Sequence, residues 1–139
     1  MDRVVADASV VIKFFVDEEH SPQARSLLDS HIKGVIEIMT PSILAYEVLN
    51  GLRYSKNKYS LNEVKTVAKA LCDYGFTSFD SAGELAMKTI DLVFEHRITV
   101  YDASYIALAE VSDSKLYTAD RRLIDAVGLP FIKHIKDFK

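Results

Sequence analysis

The sequence has few cysteine, glycine and proline residues and no long apolar run. It contains a single cysteine among 139 residues, Cys72, so no internal disulfide can form, and the helical pattern around it predicts a buried, reduced thiol. No segment approaches the roughly 20 consecutive apolar residues that span a bilayer, and the N-terminus has no signal-peptide core. We therefore expect a soluble, cytoplasmic protein that does not bind membranes.

Several catalytic signatures are also missing. The five glycines form neither a phosphate-binding loop nor a Gly-x-Ser-x-Gly nucleophile elbow, and there is no cysteine pair for a zinc ribbon. The four histidines do not have the spacing of metal ligands; they are His20, His31, His96 and His134. The sequence therefore does not indicate a P-loop NTPase, an α/β-hydrolase or a zinc ribbon.

The charge balance does not favour nucleic-acid binding by bulk electrostatics. Seventeen Lys and Arg residues face twenty Asp and Glu residues, which gives a net charge of −3. A polyanionic substrate would have to be held by local basic clusters, although short charge runs also occur on ordinary solvated surfaces. The candidates for RNA contact are Arg53, Lys56 and Lys58 in one cluster, and Arg121 and Arg122 in another.

Hydrophobic periodicity predicts short strands that alternate with helices. The predicted strands are 3–7, 37–40, 76–79, 115–118 and 131–135. The predicted helices are 8–16, 21–34, 41–54, 60–75, 82–96, 103–111 and 121–127. With 49% hydrophobic residues, the chain can form one domain over residues 1–139. The alternation predicts an α/β fold, a three-layer α/β/α sandwich with a mainly parallel central sheet.

Three aspartates lie where an apolar segment gives way to a predicted helix. They are Asp7, Asp102 and Asp120, and each alone is explained by the preference for aspartate at a helix N-cap. In a parallel α/β sheet, however, the carboxyl ends of the strands lie along one edge, where ligands bind. We therefore expect the three side chains to converge.

Glu47 is a candidate from the middle of a predicted helix. An exposed glutamate is ordinary in an amphipathic helix. Its face also contains Gly51, however, and glycine costs about 1 kcal/mol in a helix relative to alanine. We interpret the glycine as leaving space beside the carboxylate.

Four carboxylates in one place would repel each other and raise each other's pKa values unless a cation lay between them. Hard oxygen ligands favour Mg²⁺ or Mn²⁺, which can activate water for attack on a phosphodiester. The hydroxyls of Ser9 and Thr118 are supporting candidates, although such residues near helix starts often bond the backbone instead. Asp125, one turn after Asp120, is predicted to be a solvated surface residue.

Four segments give the chain a resemblance to a known family, the PIN-domain ribonucleases, and specifically to the VapC-type toxins of prokaryotic toxin–antitoxin systems. The segments are Val4–Ser9, Pro41–Leu52, Tyr101–Ala109 and Thr118–Leu123. Their order and the length of the chain are typical of those toxins.

The resemblance implies a Rossmann-like PIN fold and endonucleolytic cleavage of RNA that leaves 3′-hydroxyl and 5′-phosphate ends. It implies that Mg²⁺ or Mn²⁺ is held by the catalytic residues Asp7, Glu47, Asp102 and Asp120. It also implies a homodimer and a cognate antitoxin whose C-terminal tail covers the acidic pocket. The apolar residues Phe14, Phe15 and Val16 could seat that tail or belong to the core, and we favour the core.

Two other functions are consistent with parts of the pattern. One is a PIN-domain nuclease of RNA processing that has no antitoxin, which the absence of a neighbouring antitoxin gene would indicate. The other is a non-catalytic Mg²⁺-binding module similar to a response-regulator receiver domain. A receiver domain needs a lysine at a late strand end and a phosphoacceptor aspartate after the third strand, and neither is correctly placed here.

Overall fold

Five short strands form one sheet in which every neighbouring pair is parallel. The computed structural model describes residues 1–139. The strands are β1 (Asp2–Ala6), β2 (Ile36–Pro41), β3 (Thr77–Phe79), β4 (Lys115–Thr118) and β5 (Ile132–His134). They are ordered β3-β2-β1-β4-β5, so β1 lies in the centre and pairs with both β2 and β4.

Seven α-helices connect the strands. They are α1 (Ala8–Val11), α2 (Ser21–Ile32), α3 (Leu44–Arg53), α4 (Leu61–Asp73), α5 (Gly83–His96), α6 (Val100–Val111) and α7 (Arg121–Val127). From β1 to β3 the chain moves towards one edge of the sheet, and from β3 to β5 it moves towards the other. Because crossovers between parallel strands are right-handed, α1–α4 and α5–α7 cover opposite faces. The predicted three-layer α/β/α fold is confirmed, with a sheet that is entirely parallel.

The core lies between the central strands and the helices on both faces. It contains 29 buried hydrophobic residues, among them the fully buried Val5, Ile38 and Leu116 of the central strands. Helix α6 packs against β1, β2 and β4, and its residues from Ala103 to Ala109 are all buried. This helix is therefore held rigidly over the middle of the sheet.

The cluster of Phe14, Phe15 and Val16 belongs mainly to the core. Phe14 is buried in the main hydrophobic cluster, and the other two are partly buried against it. The sequence predicts one helix over 8–16, but the observed helix α1 ends at Val11 and the chain continues as a 3-10 turn over Ile12–Phe14. The core interpretation is confirmed for Phe14, and Phe15 and Val16 lie at the edge of the core.

Two predicted features are wrong. Pro41 does not begin a helix: it ends β2, where it pairs with Phe79 of β3, a strand-end position at which the missing N–H of proline is tolerated. Cys72 is exposed rather than buried. It lies on α4, which packs against α3 and buries only Leu71, so most of the surface of α4 faces solvent.

None of the seven helices combines the length and the apolar character needed to cross a membrane.

Candidate active site

The strand order makes the carboxyl ends of β1 and β4 a switch point of the sheet. These two strands are neighbours whose following connections lead to opposite edges of the sheet, and such switch points are where α/β sheets bind ligands. Asp7 directly follows β1, and Asp120 lies two residues after the end of β4. The strand order therefore puts the backbone positions of Asp7 and Asp120 at neighbouring strand ends.

Asp7 is the most buried of the four candidate carboxylates, with 7% of its surface exposed. It caps α1: its Oδ1 accepts hydrogen bonds from the backbone N–H of Val10 (3.2 Å) and from the Ser9 hydroxyl (2.6 Å). The pKa of Asp7 is raised from 3.8 to about 6, mainly by burial and to a smaller extent by the negative charge of Asp102. The hydrogen bonds from Ser9, Thr118 and Val10 lower this pKa and so oppose part of the shift. The charged form of Asp7 is therefore disfavoured in the protein alone.

The hydroxyls of Ser9 and Thr118 lie together beside Asp7. Their oxygens are 3.4 Å apart. The Ser9 hydroxyl also accepts a hydrogen bond from the backbone N–H of Ala119 (2.9 Å), and the Thr118 hydroxyl accepts one from that of Asp120 (3.1 Å). These contacts join the end of β1 to the end of β4, so both predicted supporting residues fix the position of the carboxylates around them.

Asp120 and Asp102 occupy different positions in their helices. Asp120 is exposed and caps α7, because its Oδ1 accepts hydrogen bonds from the backbone N–H groups of Arg122 (3.0 Å) and Leu123 (3.2 Å). Asp102 is not a cap: α6 begins earlier than predicted, and Thr99 caps it by accepting a hydrogen bond from the Asp102 N–H (3.0 Å). The side chain of Asp102 is therefore not needed to cap its own helix.

Glu47 is held by a residue that the sequence analysis missed. The hydroxyl of Tyr105, a buried residue of α6, donates a 2.6 Å hydrogen bond to Glu47 Oε1. Burial and the neighbouring carboxylates raise the pKa of Tyr105, so its hydroxyl remains a donor. Tyr105 lies three residues after Asp102, which places both on adjacent parts of one helix surface. That spacing is the signal that could have identified it.

The predicted role of Gly51, to leave space beside the Glu47 carboxylate, is wrong. A Cβ atom at this position would lie 2.9 Å from Cδ1 of Ile12. The glycine therefore allows the 3-10 turn after α1 to approach α3 closely, and it does not open space beside Glu47.

Asp102 links the four carboxylates electrostatically. Its charge raises the pKa of both Asp7 and Glu47, for which burial is the larger cause. The pKa of Asp102 is itself raised, first by burial and then by the charge of Asp120. None of the four forms a salt bridge with Lys, Arg or His. The four acidic groups are thus coupled through Asp102, and no basic partner offsets their repulsion.

The side chains as they stand do not include a group of three or more Asp, Glu, His or Cys that could hold a metal ion. This arrangement is compatible with Mg²⁺, which commonly binds one or two carboxylates directly and completes its octahedron with water and substrate oxygens. An all-oxygen, unpaired acidic donor set fits a hard divalent cation in its chemistry.

The predicted basic clusters are exposed, and none of their members forms a salt bridge; they are Arg53, Lys56, Lys58, Arg121 and Arg122. The two arginines directly follow Asp120 at the start of α7. The other three lie at and beyond the end of α3, the helix that contains Glu47. Asp125 is exposed, as predicted.

Comparisons with a family model and with known proteins agree on one family. The model of the PIN domain matches residues 4–129. Ribonuclease VapC3 of Pyrobaculum aerophilum is 33% identical over 132 residues, which cover 88% of this chain and 93% of that protein. Ribonuclease VapC1 of Mycobacterium tuberculosis is 32% identical over 133 residues, with coverage of 94% and 95%.

The fold is also found in solved structures. A toxin–antitoxin complex from Klebsiella pneumoniae contains a chain that superposes with a TM-score of 0.70 at 17% identity, over 95% of this chain and 97% of that one. Sequence and fold therefore agree, and the chain belongs to the PIN domain family and, within it, to the VapC proteins.

Proposed function

We propose that this protein is a Mg²⁺- or Mn²⁺-dependent endoribonuclease in which Asp7, Glu47, Asp102 and Asp120 hold the cation and are catalytic. The observation on which the proposal depends is that the charge of Asp102 acts on Asp7 and Glu47, that the charge of Asp120 acts on Asp102, and that none of the four has a basic partner. Such a cluster is stabilised by a divalent cation. The relatives named as ribonucleases support RNA as the substrate.

A bound divalent cation would supply the means to polarise water and to stabilise negative charge on the phosphate in the transition state. The protein's own residues orient the reactants. Ser9 fixes Asp7 through the 2.6 Å hydrogen bond, and Tyr105 fixes Glu47 through another. The unpaired guanidinium groups of Arg121 and Arg122 are placed to bind backbone phosphates beside Asp120.

Glu47 is the candidate general base. Its Oε1 accepts the Tyr105 hydroxyl. Glu47 would hold the cation through an intervening water and not directly, so Oε2 stays available to accept a proton. In the proposed reaction a water oxygen attacks phosphorus and gives its proton to Glu47. The bond from phosphorus to the 3′ oxygen breaks, and that oxygen takes a proton from solvent water while Glu47 releases its own proton to solvent. The products are a 3′-hydroxyl and a 5′-phosphate.

Incubation of the purified protein with RNA tests the proposal. We expect cleavage with Mg²⁺ or Mn²⁺, none with EDTA, and recovery when the cation is restored. Asp7→Asn and Asp102→Asn should abolish cleavage, whereas Asp125→Asn, which changes an exposed carboxylate outside the cluster, should retain it. Cleavage that resists EDTA, or full activity of Asp102→Asn, would contradict the proposal.

We also propose that the protein is the toxin of a toxin–antitoxin pair and is inhibited by a cognate antitoxin. The solved toxin–antitoxin complex of the same fold supports this partner. An apolar groove of about 280 Å³ between α3 and α4 offers a place for an apolar antitoxin segment; it is lined by Phe15, Leu52, Tyr59, Glu63, Thr66 and Val67.

Co-purification with the product of an adjacent small gene, and loss of RNA cleavage in that complex, are the expected results. An adjacent gene product that neither binds nor inhibits would favour an RNA-processing role.

A homodimer is the oligomeric state that we propose. The solvent face of α5 exposes Met87 (64%), Ile90 (46%) and Phe94 (81%) at helical spacing, and contiguous exposed apolar surface is typical of interfaces. Light scattering should give twice the chain mass of 15.6 kDa, and Phe94→Glu should shift it to the monomer. A monomeric wild-type protein at micromolar concentration would exclude this dimer.

A further inference from the structure

We propose that a cleft beside the acidic cluster binds one unstacked nucleobase of the substrate, with the ring of Tyr101 as its stacking surface. The inference rests on the proposed function, because it takes RNA as the substrate. The cleft lies at the carboxyl ends of β2 and β3, between α3 and the helix pair α5–α6. Its main lining residues are Ser42, Ile43, Phe79, Ser81, Leu85 and Tyr101.

The cleft continues directly from the acidic cluster, since both share the same two walls. Ile43, the N-cap residue of α3, lines the cleft, and Glu47 lies one turn later, where its N–H donates to the Ile43 carbonyl at 3.1 Å. One turn advances about 5.4 Å along the helix axis. On α6, Tyr101 lines the cleft and the next residue is Asp102. A nucleotide whose phosphate lies at the carboxylates can therefore place a base in the cleft.

The chemistry of the lining fits a neutral, planar ligand with polar edges. No Asp, Glu, Lys or Arg lines the cleft, which disfavours a phosphate or a cation as its occupant. Its walls are mainly apolar, and Tyr101 remains 59% exposed, so more than half of its surface is accessible to a ligand. Aromatic side chains bind unstacked bases in this way with little sequence preference.

Two hydroxyls at the rim are free for hydrogen bonds to a base edge. Ser42 and Ser81 are exposed, and their hydroxyls have no hydrogen-bond partner in the protein. The other two hydroxyls of the cleft are already used, because Thr89 donates to the Leu85 carbonyl (2.8 Å) and Ser104 to the Tyr101 carbonyl (2.6 Å). The Ser104 bond also fixes the first turn of α6, where Tyr101 lies.

The occupant must be a base that is not paired in a duplex, since a paired base keeps both faces stacked. Duplex RNA of the same sequence should bind more weakly than the single strand, because its paired bases cannot enter the cleft.

The first test separates substrate binding from the chemical step. For a short single-stranded RNA, Tyr101→Leu should raise KM by about 5-fold to 150-fold, the range given by loss of one base–aromatic stack, with little change in kcat. Tyr101→Phe keeps the ring and should behave like the wild type. Tyr46→Leu is the matched control, because Tyr46 is a more exposed tyrosine (79%) that does not line the cleft.

The second test does not depend on cleavage. In NMR titrations with Mg²⁺ present, adenosine 5′-monophosphate should shift the amide signals of Ser42, Ser81 and Tyr101, whereas ribose 5-phosphate, which has no base, should not. Base-dependent shifts in a protein that fails to cleave RNA would support the cleft and reject the proposed ribonuclease. RNA cleavage with an unchanged KM for Tyr101→Leu and no base-dependent shifts would reject the cleft and leave the ribonuclease standing.

Discussion

Replacing Asp7 by asparagine should abolish RNA cleavage and, at the same time, stabilise the metal-free protein. The carboxylate is buried and charged only at a cost, since its pKa rises from 3.8 to about 6 on folding. Asparagine is as good an N-cap as aspartate, and its Oδ1 can accept the same bonds from Ser9 and the Val10 N–H. The variant therefore removes a disfavoured charge and retains the local hydrogen bonds.

The size of the effect follows from the pKa of Asp7. A tenfold change in an equilibrium constant is about 1.4 kcal/mol, so a rise from 3.8 to about 6 corresponds to about 3 kcal/mol. Between these two pH values the folded protein keeps a proton that the unfolded chain releases. The free energy of unfolding therefore falls as the pH rises through this window, and the loss is complete above about pH 6. The wild type and Asp7→Asn should have similar stabilities below pH 3.8 and differ by up to about 3 kcal/mol at pH 7.5.

Urea unfolding in EDTA at several pH values measures this difference, because subtraction of the two curves cancels the other titrating groups. Asp125→Asn is the control and should stay within about 0.5 kcal/mol of the wild type, as expected for a surface change. Mg²⁺ should stabilise the wild type in proportion to its binding and should have much less effect on Asp7→Asn. An asparagine variant that is less stable than the wild type at pH 7.5 would refute the assignment of Asp7 as a disfavoured buried charge.

Three further predictions concern residues around the cluster. Tyr105→Phe should lower kcat about tenfold, equivalent to a hydrogen bond of about 1.4 kcal/mol to Glu47, and weaken Mn²⁺ binding measured by electron paramagnetic resonance; unchanged values for both would show that the bond does not position Glu47. Arg121→Ala should make the slope of log K against log salt for RNA binding less steep by about 1, the change expected for loss of one phosphate contact. An unchanged slope would exclude such a contact. Because Cys72 is exposed, a thiol reagent should label it in the folded protein without loss of RNA cleavage, and labelling only after denaturation would contradict the structure.

The order of strands and helices was predictable because it depends on local periodicity. The strand over Lys115–Thr118 and the helix over Arg121–Val127 have the predicted bounds. Errors occur where a distant element decides the outcome. Pro41 reads locally as a helix start, but its pairing with Phe79 extends β2.

The candidate carboxylates were recognisable from residue type and position, but their surroundings were not. Thr99 precedes Asp102 by three residues, which is a capping pattern, and applying it would have placed Asp102 inside α6. From that helix phase Tyr105 follows as a neighbour of Asp102. Its bond to Glu47, 58 residues earlier in the chain, depends on the packing of α6 and α3 and has no local signal. The same holds for Cys72, whose exposure depends on which neighbours α4 has.

The position of β1 explains why the site is both costly and well placed. Because β1 is the central strand, the residue after it is surrounded by protein, and Asp7 cannot reach solvent without breaking the cap of α1 and its bond to Ser9. A side chain fixed in this way retains a raised pKa until a cation compensates its charge. A residue that lowers stability although its neighbours hold it in place is typical of a functional site. The stability that Asp7→Asn is expected to gain, and the activity it is expected to lose, are thus two consequences of one buried carboxylate.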